Sequence, residues 1–324
     1  MSVVAEVLRS GQRATAPLVS VVISTRNHAA LLPNTIHAVL TQDMVDPIEL
    51  IVVDNASTDE TASVMRWALQ WAPRPSTYVR LHRDLGAAGG RNVGIAFAHG
   101  AFIAFTDSDC TPSARWLRNA IQGFADPQVG IVQGRTVPAR TGTPLFEHHI
   151  ETREIDGHFS TSNVVYRRQA LDGRRFDPAC WYWEDTDLGW RVRRSGWKSA
   201  FAGDAVVAHA VIPLSPIRWM LWPRRYANWP AKAARYPEFR RHLFLRTWVR
   251  PLHLLFDLAL LGLVLARWRP VGLLLTAPYA VAFARTRGLR GRFPPAKLGA
   301  YLAADIVSFC SLVAGSIRYR SLVL

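Results

Sequence analysis

An α/β fold built on a mostly parallel central sheet with flanking helices is predicted for residues 18–212. A helical, membrane-associated region follows to residue 324. Three observations predict this arrangement. Apolar runs of strand length alternate with helical stretches from about residue 18 to 125. Acidic residues recur where those runs end. Positive charge and long apolar stretches are both confined to the last third of the chain. Residues 1–17 read as an N-terminal tail lacking the continuous apolar core of a signal peptide, so the N-terminal part is expected in the cytosol.

The elements follow in order. VSVVIS (19–24) is a short β-branched run, a helical stretch reaches to about 41, and ELIVVD (49–54) repeats the strand pattern. A helix is expected to open at Ser57 or Thr58, then a strand near 77–82, a Gly-started helix over 89–99, and a strand leading into Asp107. Strands separated by helices imply right-handed βαβ units, and in such sheets the ligand crevice lies beyond the carboxyl ends of the strands. That rule gathers Thr25, Arg26 and Asn27, then Asp54 and Asn55, then Asp107, Ser108 and Asp109, along one edge.

Each aspartate alone fits an ordinary turn or a helix cap as well as a ligand site. Several acids converging on one crevice need a compensating cation or donor, because like charges repel. The segment LGAAGGRNVGIAFAHG (85–100) adds an anion cue: Gly90 permits close backbone approach, while Arg91 and Asn92 lie in the first turn of the next helix, where free amides favour phosphate. A tight, well-packed loop is the alternative reading.

These segments resemble glycosyltransferase family 2 enzymes of the GT-A fold. The matching stretches stand in family order: VSVVISTRN (19–27), ELIVVDNASTDET (49–61), GGRNVGI (89–95), FTDSDC (105–110) and WEDTDLGWRVRRSGWK (183–198). The resemblance implies a GT-A-type nucleotide-diphospho-sugar transferase fold and a nucleotide sugar donor. It implies that Asp54 contacts the nucleoside and that Asp109 meets a divalent ion and the diphosphate, with Asp107 positioning the donor. Mg²⁺ or Mn²⁺ suits carboxylates plus phosphate oxygens. The same resemblance implies that Asp185 is the base of an inverting transfer, that Glu184 orients acceptor or base, and that His209 stands near metal and diphosphate. Without the resemblance, acids at 184, 185 and 187 complement a helix dipole, and a lone His on an apolar strand is an ordinary packed side chain. Ser162 and Asn163, in a polar strand edge, and Trp183 are the candidate acceptor contacts.

Charge divides the chain. Residues 1–209 hold 21 Lys plus Arg against 21 Asp plus Glu, whereas residues 210–324 hold 18 against 3. A neutral first part argues against a nucleic-acid partner, which needs a basic face. In the basic part, residues 213–250 read as amphipathic interfacial helices and 251–324 as a hydrophobic helical region. Five tryptophans from Trp219 to Trp268 interleave these stretches, as suits contact with membrane lipids. The apolar stretches 252–266 and 271–284 are short for a span, and 298–317 reaches the length but contains Asp305, so spanning, interfacial and soluble-packing readings all stand. Should they span, RTRGLRGR (285–292) is expected on the cytosolic side. Three cysteines without CxxC spacing suggest a reducing compartment rather than disulfides or zinc. The expected activity is metal-dependent transfer of a sugar to a lipid-linked or cell-envelope glycan, at the cytoplasmic membrane with the catalytic domain facing the cytosol. A nucleotidyltransferase and a non-enzymatic basic membrane adaptor are the competing readings.

Overall fold

The computed structural model describes residues 3–11, 15–139, 146–286 and 295–324. The chain divides into two compact units, Met1–Thr143 with His149–Ile212, and Pro144–His148 with Pro213–Leu324. The basic loop 285–292 lies largely outside the described residues.

Nine strands form the sheet of the first unit: β1 (Val4–Ser10), β2 (Val19–Thr25), β3 (Ile48–Asp54), β4 (Ser76–Leu81), β5 (Phe102–Phe105), β6 (Cys110–Pro112), β7 (Val129–Ala139), β8 (Val164–Arg167) and β9 (Lys198–Ala210). Their spatial order is β1-β4-β3-β2-β5-β8-β7-β9-β6. Strands β4, β3, β2 and β5 are mutually parallel, as are β7 and β9, whereas β8 runs antiparallel between β5 and β7. Every residue of β3 is buried and β2 is nearly so, which is why both read as continuous apolar runs without alternation. Of the two carboxylates in β3, Glu49 near its start accepts bonds from the Ser20 hydroxyl and the His99 amide, both at 2.7 Å. A charge taken out of water needs such partners.

The segment expected as an N-terminal tail contributes β1, which pairs antiparallel with β4 and closes that edge of the sheet. Its alternating pattern of half-buried and exposed residues suits an edge strand.

The helices are α1 (Leu32–Leu40), α2 (Thr61–Gln70), α3 (Gly86–Phe97), α4 (Trp116–Gln122), the short α5 (Arg168–Leu171) and α6 (Glu184–Arg194). Helix α2 begins later than the sequence suggests. The Asp54 carboxylate accepts the Ser57 amide at 2.8 Å, and Asp59 accepts both the amide and the hydroxyl of Thr61, so residues 54–60 are held in side-chain-closed turns. Helix α3 lies tight on the sheet because of its glycines. A Cβ at Gly90 would fall 2.2 Å from Ser24 Oγ, and one at Gly94 would fall 2.3 Å from Val22 Cγ1.

The second unit is helical, with α7 (Pro216–Leu221), α8 (Trp229–Arg235), α9 (Pro251–Leu265), α10 (Ala277–Thr286) and α11 (Pro295–Tyr319), and 3₁₀ segments at Trp222–Asn228, Pro237–His242 and Pro270–Thr276. Proline recurs in the first turn of these pieces, where its missing N–H costs no helical bond. Two acids within the apolar stretches are hydrogen-bonded: Trp248 Nε1 donates to Asp257 at 2.8 Å, and the Tyr279 hydroxyl donates to Asp305 at 2.7 Å. Burial pushes the Asp257 carboxyl above its ordinary range, and the indole bond works against that. Residues Lys297–Tyr319 of α11 are long and apolar enough to cross a bilayer; α9, with 15 residues, is not.

Candidate functional site

The parallel register places Thr25 beside Asp54 and brings the end of β5 alongside β2, so the loops after β2, β3 and β5 meet at one sheet edge. A cleft of about 320 Å³ opens there, with Thr25, Asn55, Arg91, Asp107, Asp109 and His209 among its walls. The antiparallel pair β6–β9 supplies the last of these. It sets Cys110 opposite His209, and the Ala210 amide donates to the Asp109 carbonyl at 2.9 Å.

Asp109 and His209 are both nearly buried, with His209 Nε2 at 3.6 Å from Asp109 Oδ1. The other ring nitrogen, Nδ1, lies 2.8 Å from the Ala210 carbonyl, which can only accept. Nδ1 therefore carries the proton, and in the neutral ring Nε2 presents its lone pair toward Asp109. Burial pushes the Asp109 carboxyl above its ordinary range; His209 opposes that rise and the Asp107 charge adds to it. Ligand atoms of Asp107, Asp109, Cys110 and His209 lie within 4.8 Å of one another. Burial, followed by the charges of Asp107 and Asp109, drives the Cys110 thiol well up, so it stays protonated and is a poor ligand. Two carboxylates and a borderline imidazole lone pair remain, an oxygen-rich donor set that fits Mn²⁺ and, less well, Mg²⁺.

Arg91 ties this centre to α6. Its guanidinium donates to Asp107 Oδ1 and to Glu184 Oε1, each at 2.9 Å, and its own side chain is only 10% exposed. Burial disfavours the charged guanidinium, yet Asp107, Glu184 and Asp185 together raise its pKa above the ordinary value. The acids at this edge are thus offset in part by a buried arginine.

Several candidates occupy other places than the sequence implied. Asp54 is fully buried: its carboxylate accepts the Ser57 amide and the Tyr78 hydroxyl at 2.7 Å, and it does not line the cleft. Those two donors hold the Asp54 carboxylate as folded, and beside it Asn55, with Nδ2 on Ser24 Oγ, lines the cleft. Asn27 braces the following turn, with its Oδ1 accepting the Thr58 amide at 2.8 Å. Asn92 exchanges two 2.8 Å bonds with the Phe176 backbone, so it anchors the loop before α6 and not a donor. Ser108 does line the cleft, although it is largely buried, its hydroxyl 2.7 Å from His28 Nδ1 and its carbonyl accepting from Thr35. Gly90 permits helix packing. Arg26 is exposed and pairs with Asp84 at the cleft rim.

The acceptor candidates change most. Asn163 is 1% exposed and donates to the Arg135 and Ala205 carbonyls while accepting the Trp116 indole, so both its N–H groups and one of its two Oδ1 lone pairs are spent inside the protein. Ser162 is equally buried, and Trp183 is 8% exposed. Glu184, expected to orient acceptor or base, is occupied by Arg91. Asp185 occupies the first turn of α6, its Oδ1 accepting the Thr186 amide at 2.7 Å; it is close enough to act on Arg91 and Tyr166 but does not line the cleft. Of the aspartates at 54, 109 and 185, Asp109 is the one among the residues lining this cleft.

Sequence reasoning missed His28, Tyr78 and Asp84. Only Asp84 carried a signal, an Asp two residues before a Gly, and its Oδ1 does accept the Gly86 amide at 2.8 Å. Thr25 Oγ1 is buried at the cleft with no hydrogen-bond partner within the protein, an orphaned polar atom that a ligand would satisfy.

Comparison with known proteins yields two family models. One, "Glycosyl transferase family 2", matches residues 20–178, and the other, "Glycosyl transferase family group 2", matches residues 102–286. Similar relatives include the pre-mycofactocin glycosyltransferase of Mycobacterium tuberculosis, 28% identical over 59% of this chain and 42% of its own length. The O-antigen chain rhamnosyltransferase RfbN of Salmonella typhimurium is 26% identical, over 59% and 66%. The succinoglycan biosynthesis protein ExoO of Rhizobium meliloti is 36% identical, over 52% and 53%. The chain thus spans about half the length of these curated relatives. Among solved structures, the mannosyltransferase PcManGT from Pyrobaculum calidifontis, in complex with GDP-Man and Mn²⁺, has a TM-score of 0.59 at 24% identity, covering 95% of this chain and 88% of that one. S. aureus TarS 1-349 in complex with UDP gives 0.52 at 18%, covering 94% and 92%. These two likenesses establish the fold.

Proposed function

The chain belongs to glycosyltransferase family 2, and on that premise we propose that it moves a sugar from a nucleotide-diphosphate donor, with a divalent metal, to a lipid-linked or cell-envelope glycan acceptor, with inversion. The observation that carries this reading is the grouping of Asp107, Asp109 and the His209 Nε2 lone pair in a cleft whose floor holds the unpartnered Thr25 hydroxyl. The solved neighbours crystallised with GDP-Man and Mn²⁺ or with UDP support the donor class.

In this reading Asp109 and His209, with Asp107, hold the ion. When bound, that ion offsets the negative charge growing on the departing diphosphate. Asp185 takes the proton of the acceptor hydroxyl as the new C–O bond forms at the anomeric carbon and the bond from that carbon to the diphosphate breaks. Glu184 is the poorer candidate for this role, because its carboxylate is engaged by the Arg91 guanidinium. Arg91 fixes the spacing between the donor side at Asp107 and the base side on α6. The second unit, through α11 and the exposed Leu263, Val264, Trp268 and Leu274, would hold the enzyme at the cytoplasmic membrane, with the catalytic unit facing the cytosol. The test is a screen of UDP-, GDP- and dTDP-sugars for Mg²⁺- or Mn²⁺-dependent binding and hydrolysis. Asp185→Asn is expected to keep donor binding and lose transfer to membrane lipid extract; unimpaired transfer would remove it as base.

A further inference from the structure

We propose that Tyr166 is a positioning residue for Asp185: its buried hydroxyl donates to the Asp185 carboxylate in the working enzyme and fixes the orientation of that carboxylate toward the acceptor. The role rests on the reading of Asp185 as base. Tyr166 itself touches no reacting atom.

Tyr166 lies in β8, paired with Ile103 of β5 on one side and Ile131 of β7 on the other. Its ring meets Phe105 edge-on with centroids 6.0 Å apart, and Phe105 meets Phe176 in the same manner at 5.2 Å. The Arg91 guanidinium covers the Phe176 ring and reaches Glu184 in the first turn of α6. An aromatic column thus runs from Tyr166 to the start of α6. The Tyr166 side chain is fully buried, and its hydroxyl has no hydrogen-bond partner among the described residues. Leaving a buried hydroxyl unpaired is costly, and a phenylalanine would fill the same space without that cost. Packing therefore accounts for the ring but not for its oxygen.

The charges around the phenol select the acceptor. Burial, and after it the charge of Asp185, holds the phenol well above its ordinary range; Arg191 and Arg91 oppose that rise and Asp187 adds to it. The hydroxyl accordingly keeps its proton and is available as a donor. Arginine has no lone pair to accept it, which leaves the two aspartates. Asp187 is held by the Arg191 guanidinium at 2.7 Å and acts on the phenol less than Asp185 does. Asp185 Oδ1 takes the Thr186 amide at 2.7 Å, and a carboxylate oxygen accommodates two donors, so the hydroxyl can join that amide on one oxygen.

The test is Tyr166→Phe in the full chain, in lipid nanodiscs with Mn²⁺, with UDP-glucose, GDP-mannose and dTDP-rhamnose as donors and membrane lipid extract as acceptor. The kcat for transfer is expected to fall at least about tenfold, as for loss of a hydrogen bond to a charged group, while the KM for donor stays within about twofold. The acid limb of the kcat profile is expected to move to higher pH, because removing a donor from the charged carboxylate raises its pKa. The melting temperature should hold or rise. Unchanged kcat and pH profile in Tyr166→Phe overturn the inference, and so does a lower kcat that comes with a lower melting temperature and an unmoved profile. Undiminished transfer by Asp185→Asn would instead remove the base, and no transfer by wild type from any of the three donors would remove the transferase reading; either result takes the positioning role with it.

Discussion

At Asp109 two demands meet. Its carboxyl is nearly buried beside His209, with the Asp107 charge close enough to raise its pKa, and so the folded chain holds its proton to a higher pH than an ordinary aspartate, for which 3.8 applies. The folded state therefore binds this proton more tightly than the unfolded state. Its contribution to stability is present at low pH and is lost as pH rises through the folded value. The metal-free protein is expected to lose stability as pH rises above about 4 for this group, and Asp109→Asn should stabilise it by on the order of 1 kcal/mol near neutrality. Thermal melts with chelator at several pH values check this; an Asn variant less stable than wild type at every pH would contradict it. Arg91 has the opposite role. Arg91→Met leaves Asp107 and Glu184 without their shared cation and should cost about 3 kcal/mol, read by urea unfolding. The sequence located residues of the right type at the right strand ends, but it did not reveal where their side chains point. Asp54, Asn92 and Asn163 are directed by Tyr78, Phe176 and Ala205, partners 24, 84 and 42 positions away.

At the scale of elements, legibility follows local pattern. β2 and β3 were readable because both faces of a parallel strand are buried, and α6 because its acids, apolar face and Gly196 stop lie within one window. Strand β1 was not, since an edge strand half exposed along its length has no strong apolar signal, and its partner β4 is more than sixty residues on. The late start of α2 follows from Asp54 and Asp59 closing turns on backbone amides, a competition that periodicity does not register. The turn entering α6 carries a prediction of its own. Tyr182→Gly relieves a left-handed backbone and should raise stability by about 1 kcal/mol or less. A gain in melting temperature is the expected result; a loss would show that the ring supports the fold.

Across the whole molecule, charge and hydropathy divide where the structure divides. The neutral sheet unit carries the cleft, and the basic helical unit carries most of the exposed large apolar side chains. The sequence showed that division through its charge count, but not the hydrogen bonds that let Asp257 and Asp305 sit among apolar helices. A chain ending at residue 212 is expected to lose binding to anionic vesicles, measured by co-sedimentation, since 18 of the 39 basic residues lie beyond residue 209; undiminished binding would move the membrane contact to the sheet unit.

The account depends most on one grouping, the acids and histidine that together receive a divalent ion and a nucleotide diphosphate. Mn²⁺ binding followed by electron paramagnetic resonance, with and without GDP or UDP, tests it directly. Wild type should bind about one Mn²⁺ more tightly when nucleotide is present, with affinity falling at least roughly tenfold in Asp109→Asn and His209→Ala and unchanged in Cys110→Ala. Equal Mn²⁺ binding by wild type and Asp109→Asn would contradict it.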